Sequence, residues 1–161
     1  MAVNTDRAEA SPHPHRRPRR RPGENRERLL TAGIAEFGTH GYHGSSTAAI
    51  AALAEVPQPH VYANFSNKEQ LFLSCAERAA ALLEDLRTTT AQQQASTDQS
   101  LDLAQLARFV LQAVAALGDE TLGDELSQLL VRIRRSLGGQ HELDELIRLG
   151  SLTLLEQRSE P

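Results

Sequence analysis

Apolar positions recur at helical spacing along most of the chain. Leu30, Ile34 and Phe37 fall at i, i+4 and i+7 with Leu29 beside them, which predicts a first helix from Glu24. Gly38 and Gly41 mark its end, Gly41 suiting a left-handed cap. A short second helix is expected from Ser46 as N-cap, with Ile50, Leu53 and Ala54 on its inner face. Val56 precedes Pro57, and the residue before a proline is pushed out of the α region, so this helix stops there. Pro59 then suits the first position of a brief third helix that reaches about Phe65.

Ser66-Asn67-Lys68-Glu69 reads as an S-x-x-E capping box, with Ser66 as N-cap of a long fourth helix. Leu71, Cys75, Ala79, Leu82 and Leu86 give that helix its apolar stripe, with helical composition to about Ala91. Residues 92–100 are polar and of low complexity, the pattern of a fraying end or linker. Three more helices are expected near 101–118, 120–137 and 141–157, broken at Gly118 and at Gly138-Gly139. The last two carry Leu-rich stripes: Leu122, Leu126, Leu129, Leu130, Ile133 and Leu137, then Leu143, Leu146, Ile147, Leu149, Leu152, Leu154 and Leu155.

Composition narrows the class. Among 161 residues there are 24 Leu and 22 Ala, no Trp, and an aromatic fraction of 4%, which favours packed helices over sheets. The expected fold is all-α. It has an N-terminal three-helix helix-turn-helix head of homeodomain-like layout, a long connecting helix and a short C-terminal helical domain. No run approaches the roughly 18–20 apolar residues of a membrane span, and no signal-peptide pattern is present, so the expected location is cytoplasmic with no membrane partner. The single cysteine, Cys75, excludes an intramolecular disulfide and any four-Cys zinc site.

Charge is uneven. The net charge is −4, yet residues 1–28 carry +4 and residues 29–161 carry −8. Residues 1–23 also hold four of the seven prolines and read as a flexible arm. Its Arg16, Arg17, Arg19, Arg20 and Arg21 can bind phosphate locally whatever the rest of the chain carries. The expected division is therefore an arm at 1–23, a head at 24–84, and a C-terminal helical dimerisation and ligand-binding domain at 85–161.

The third helix holds the distinctive chemistry. At roughly 100° per residue, Val61 and Phe65 share one side, expected to pack on Ile50 and Leu53. Pro59, His60 and Ala63 then point outward, flanked by Tyr62 and Asn64. A solvated helix normally shows Glu and Lys there; small, aromatic and amide groups suit a helix lying in a groove.

In this region the sequence resembles the TetR family of bacterial transcriptional regulators. The pattern runs through Leu29-Leu30, Phe37, Gly41-Tyr42, Ser46-Thr47, Ile50-Ala51, Val56, Tyr62, Phe65 and Lys68-Glu69, over about residues 24–84. One departure is Glu55, where the family usually has glycine in the turn between helices two and three. The other is length: the chain is shorter than most members of that family, with about 70–75 residues after the long helix.

The resemblance implies a function as well as a fold: a repressor that binds an inverted-repeat operator as a homodimer, without catalysis. Ser46 and Thr47 would donate to phosphates of double-stranded DNA. Gln58, Pro59, His60 and Ala63 would face base edges, with Tyr62 and Asn64 on backbone or edge bases. Lys68, the only lysine in the chain, would contact phosphate. The helix carries no Arg; Gln and Asn match adenine and the Ala63 methyl matches thymine, so A·T-rich half-sites are expected. A small apolar effector among the C-terminal helices is the family-level expectation. The alternative is a shortened regulator or helical adaptor without a pocket.

Other groupings point to no chemistry. His13-x-His15 lies in the arm, and His40 and His43 straddle a Gly-Tyr turn, without a Cys or a helical i, i+4 partner that would suggest metal. Glu84-Asp85, Asp119-Glu120 and Asp124-Glu125 are sequence neighbours that point in different directions, as on solvated faces. No cofactor is implied.

Overall fold

The computed structural model describes residues 23–89 and 101–159. Seven α-helices follow in order: α1 (Glu24–Gly44), α2 (Thr47–Leu53), α3 (Pro59–Asn64), α4 (Lys68–Thr89), α5 (Leu103–Ala115), α6 (Gly123–Leu137) and α7 (Gln140–Ser159). A 3-10 turn, Ala116–Gly118, links α5 to α6. Among the described residues there is no strand. Residues 1–22 of the arm, with its arginines, and the 92–100 linker lie outside the described residues.

The architecture follows from where the apolar stripes find partners. α1 is packed on α2, α3, α4 and α5; α5 is in turn covered by α7, and α6 lies along α4. Three of the four phenylalanines weld head to body. Phe37 of α1 meets Phe72 of α4 edge-on at 4.9 Å between centroids, and Phe72 meets Phe109 of α5 at 5.4 Å. All three are fully buried, each side chain contributing about 1.5–3 kcal/mol of transfer free energy. Gly150 lets α7 press directly on α5: a Cβ there would sit 2.4 Å from the Ala107 carbonyl oxygen.

Several expected details are corrected. α1 continues past Gly38 and breaks at Gly41, whose φ of 74° is positive as anticipated but whose ψ of 174° is extended and not left-handed helical. The cap of α4 is Asn67, not Ser66. The Asn67 Oδ1 accepts from the Gln70 backbone N–H at 2.7 Å, and its carbonyl accepts from Leu71 N–H. Phe65 leaves α3 in extended backbone (φ −139°, ψ 130°), which moves the start of α4 one residue along. α4 turns Leu83 inward, whereas Leu86 is 45% exposed.

The two leucine stripes also divide differently. Leu122, Leu126, Leu129, Leu130 and Ile133 are all buried inside the chain, so this side of α6 closes the chain's own core. On α7, Leu143 and Leu146 are buried, while Leu152 and Leu155 are exposed.

Candidate nucleic-acid interface

α2 and α3 form the hairpin that shapes the surface. Ser46 caps α2, its hydroxyl oxygen accepting from Ala49 N–H at 3.0 Å. At the other end Val56 N–H donates to Ala51 C=O and Glu55 N–H to Ala52 C=O, both at 3.0 Å. That pairing is a Schellman closure, and it places Glu55 at φ 51°, in the left-handed region where a non-glycine residue costs about 1 kcal/mol. Arg28 of α1 braces the turn. Its Nε donates to Ala54 C=O at 2.9 Å and one Nη pairs with the Glu55 carboxylate at 2.8 Å. With the Glu55 side chain 75% exposed, the ion pair is worth little alone; the guanidinium's grip on the carbonyl is what fixes the turn.

From this turn α3 departs with Pro59 in its first turn. Val61 and Phe65 are buried as expected, and they anchor the helix against the head. Their partner on α2 is not Leu53, which is 57% exposed; Ile50, Ala51 and Ala54 form the buried side instead. α2 is only two turns long, and Leu53 falls on its last turn, facing a shallow cleft of about 360 Å³ shared with Arg28, Thr31, Leu101 and Gln105.

Gln58, Pro59, His60, Tyr62, Ala63 and Asn64 are all exposed, so the outer side of α3 is bare. None of these is an Asp, Glu, Lys or Arg. The flanks are linked to neighbouring elements. Tyr62 Oη and Thr47 Oγ1 share a hydrogen bond of 3.1 Å, which sets the start of α2 against α3. Asn64 Nδ2 donates to His60 C=O at 2.7 Å, folding that amide back on its own helix. Ser46 is exposed and Thr47 half-buried beside this surface.

Lys68 opens α4 with its Nζ 4.9 Å from the centre of the Tyr42 ring. Partial desolvation holds this ammonium below the ordinary lysine pKa range. Two residues in this region were not visible as site residues from sequence. Arg26 lies over the Phe65 ring at 5.2 Å, at the end of α3, and Tyr42 supports Lys68. Arg26 was one charge among many near the arm, and only a fold that returns α3 to α1 singles it out. Tyr42 carried a signal, the Gly-Tyr pair, but nothing local connects it with a lysine 26 positions on.

The remaining candidates lie away from this surface. Cys75 is fully buried in α4, where burial pushes its thiol far above the ordinary range, and its Sγ faces Leu30 C=O at 3.7 Å. Such a thiol is inert. His43 pairs with Asp119, its Nε2 3.0 Å from the carboxylate, and His40 with Glu36 at 3.3 Å. Among the described residues no group of three or more His, Cys, Asp or Glu is arranged to hold a metal. No helix there is long and apolar enough to cross a membrane.

Comparison with known proteins bears on the same stretch. Residues 29–75 match the family model described as bacterial regulatory proteins, tetR family. A curated relative, the HTH-type transcriptional repressor SCO4008 of Streptomyces coelicolor, is 37% identical over 59 residues, covering 37% of this chain and 31% of that protein. The match therefore spans about a third of the relative's length.

Among solved structures, the fatty acid degradation regulator FadR from Bacillus halodurans is 24% identical with a TM-score of 0.39, covering 84% of this chain and 71% of that one. A TetR-like transcriptional regulator from Rhodococcus sp. RHA1 is 21% identical with a TM-score of 0.43, covering 86% and 84%. Both TM-scores lie below 0.5, so neither likeness bears on function. The match that carries weight is the one at the amino-terminal head, where helix-turn-helix geometry and family model coincide. Through that head, over residues 29–75, the chain is similar to the tetR family of bacterial regulatory proteins.

Proposed function

We propose that this protein is a DNA-binding transcriptional regulator that represses by occupying an operator. The observation that carries the reading is α3. Val61 and Phe65 anchor it, while Gln58, Pro59, His60 and Ala63 stand bare on the outside with no Asp, Glu, Lys or Arg among them. Such a face gains more from a major groove than from water. Gln58 can pair with adenine and Ala63 can meet a thymine methyl. Asn64 joins them once it releases the His60 carbonyl. Ser46, Thr47, Tyr62 and Lys68 supply phosphate contacts around the helix, and Arg16, Arg17, Arg19, Arg20 and Arg21 add further phosphate or minor-groove contacts.

Function as a homodimer on an inverted repeat is part of the proposal, supported by the exposed Leu152 and Leu155 on α7. So is release by a small apolar effector, supported by the family resemblance alone. Selection of bound duplexes from a random library tests the reading with the full chain. Recovery of A·T-centred inverted repeats is the expected result. G·C-only half-sites would remove the base-reading roles, and failure to enrich any sequence would remove operator recognition altogether.

A further inference from the structure

The carboxy-terminal end of α1 joins two parts of the molecule that the proposed function keeps separate. On one side the Tyr42 ring carries the Lys68 ammonium at 4.9 Å. The ring is itself wedged against Phe72 at 5.1 Å and His43 at 5.1 Å, both at steep angles, so it has little freedom to swing. On the other side the Tyr42 hydroxyl lies close to the side chain of Thr121, in the segment between α5 and α6. Thr121 is held in turn by Asp119, whose carboxylate accepts from both its backbone N–H and its hydroxyl. The same carboxylate group pairs with His43 at 3.0 Å. Two consecutive residues of α1 are thus tied to one short connector of the body, and one of the two underlies the lysine at the edge of the candidate interface. The charged groups around Tyr42 are Lys68, His43, Asp119 and Glu69.

We infer that Tyr42 is a positioning residue: its ring places Lys68 for a phosphate, and its hydroxyl makes that placement answer to the α5–α6 connector. The phosphate half rests on the functional reading given for Lys68. The physical reason for a platform is entropic. A free lysine side chain loses rotamer entropy when it is fixed on a phosphate, and a side chain already stacked on a ring has lost part of that freedom beforehand. The connector matters because Tyr42 cannot shift without breaking either the aromatic contacts or the Thr121 link. A displacement of the body at Asp119–Thr121 is therefore felt at the DNA-facing edge.

Lys68 is the only lysine in the sequence, so isotope-labelled lysine gives one side-chain signal from the full chain. In the wild type and in Tyr42→Phe the ε-methylene protons are expected upfield of free lysine, from the ring current. A free-lysine position in the wild type overturns the platform. Thr121→Val is expected to move that signal, and an unmoved signal overturns the link to the connector.

Affinity for a random-sequence duplex supplies the second readout. Tyr42→Leu is expected to weaken binding about two- to fivefold, and to have no further effect in a Lys68→Ala background. An equal loss in both backgrounds means that Tyr42 acts only on the fold, and overturns the inference. Should Tyr42→Leu not fold, the lysine signal of wild type and Thr121→Val decides alone. Lys68→Ala itself is expected to reduce the slope of log affinity against log salt by about 0.9. An unchanged slope overturns the phosphate role, while the lysine signal still reports the stacking, so the two failures are separable.

Discussion

α3 and α6 are built on one plan and finished differently. Each is an amphipathic helix with a buried apolar side, Val61 with Phe65 in one case and Leu126, Leu129, Leu130 and Ile133 in the other. The outer side of α6 carries Asp124, Glu125, Arg132, Arg134 and Arg135, acidic in the first turn and basic in the last, which also complements the helix dipole. The outer side of α3 carries Pro59, His60, Tyr62, Ala63 and Asn64. Core packing alone does not account for the contrast, because both helices satisfy it. What separates them is the chemistry of the outer side: ionised groups that water solvates well on α6, and small, aromatic and amide groups on α3, the side proposed above to enter a groove.

The largest expected effect tests the shared half of that plan. Phe65→Ala and Leu126→Ala, both at nearly fully buried sites, should each lower unfolding free energy by about 3–5 kcal/mol in denaturant titrations. A cost near zero for Phe65→Ala would mean that α3 is not anchored as described.

The next effect tests the difference. His60→Ala should leave stability within about 0.5 kcal/mol and weaken binding to a selected operator by about 1–3 kcal/mol, whereas Arg132→Ala on α6 should move neither quantity appreciably. Equal effects of the two on DNA binding would erase the distinction between the outer sides. Smaller still is the strain in the turn that launches α3. Glu55→Gly should be more stable than Glu55→Ala by about 1 kcal/mol in thermal unfolding, since both lose the Arg28 pair and only glycine relieves the positive φ.

The smallest effect is a dependence on pH. Hydrogen bonds from the Thr121 hydroxyl and backbone N–H, with the charge of His43, hold the Asp119 carboxyl below the ordinary carboxylate range. A carboxyl whose folded pKa is depressed gives stability that is complete above its unfolded pKa and is lost as the pH falls through the folded value. Melting temperature should therefore drop less steeply between about pH 5 and pH 3 in Asp119→Asn than in the wild type. Parallel curves would show that the connector draws nothing from this charge.

Much of this organisation was legible in the residues, and the failures have physical causes. The seven helical segments follow from periodicity and from glycine and proline breaks, and the family resemblance marks Glu55, which stands where glycine is usual and has a φ of 51°. Leu53 was misplaced because periodicity assumes that a helix has a full inner side, whereas α2 ends before Leu53 reaches a partner. The Ser66 cap failed because Ser66 and Asn67 are equally good caps followed by equally good third residues, Glu69 and Gln70; only the extended backbone at Phe65 decides between them. A pattern of leucines specifies that a side is covered and not by which helix, and on α6 the cover comes from α4 of the same chain. Within the candidate interface the outward row of α3 was readable from angles alone. The supports from Arg28 and Tyr42 were not, since each joins residues about 26 positions apart.

The missing side chain at Gly150 has a mechanical consequence. With the Ala107 carbonyl seated where a methyl group would otherwise project, α5 and α7 meet backbone to backbone. At that point no side chain stands between the two backbones, so slip of one helix along the other meets a steric stop. A shift of α7 there is passed to α5, and α5 in turn packs on α1, the helix whose end abuts the start of α2.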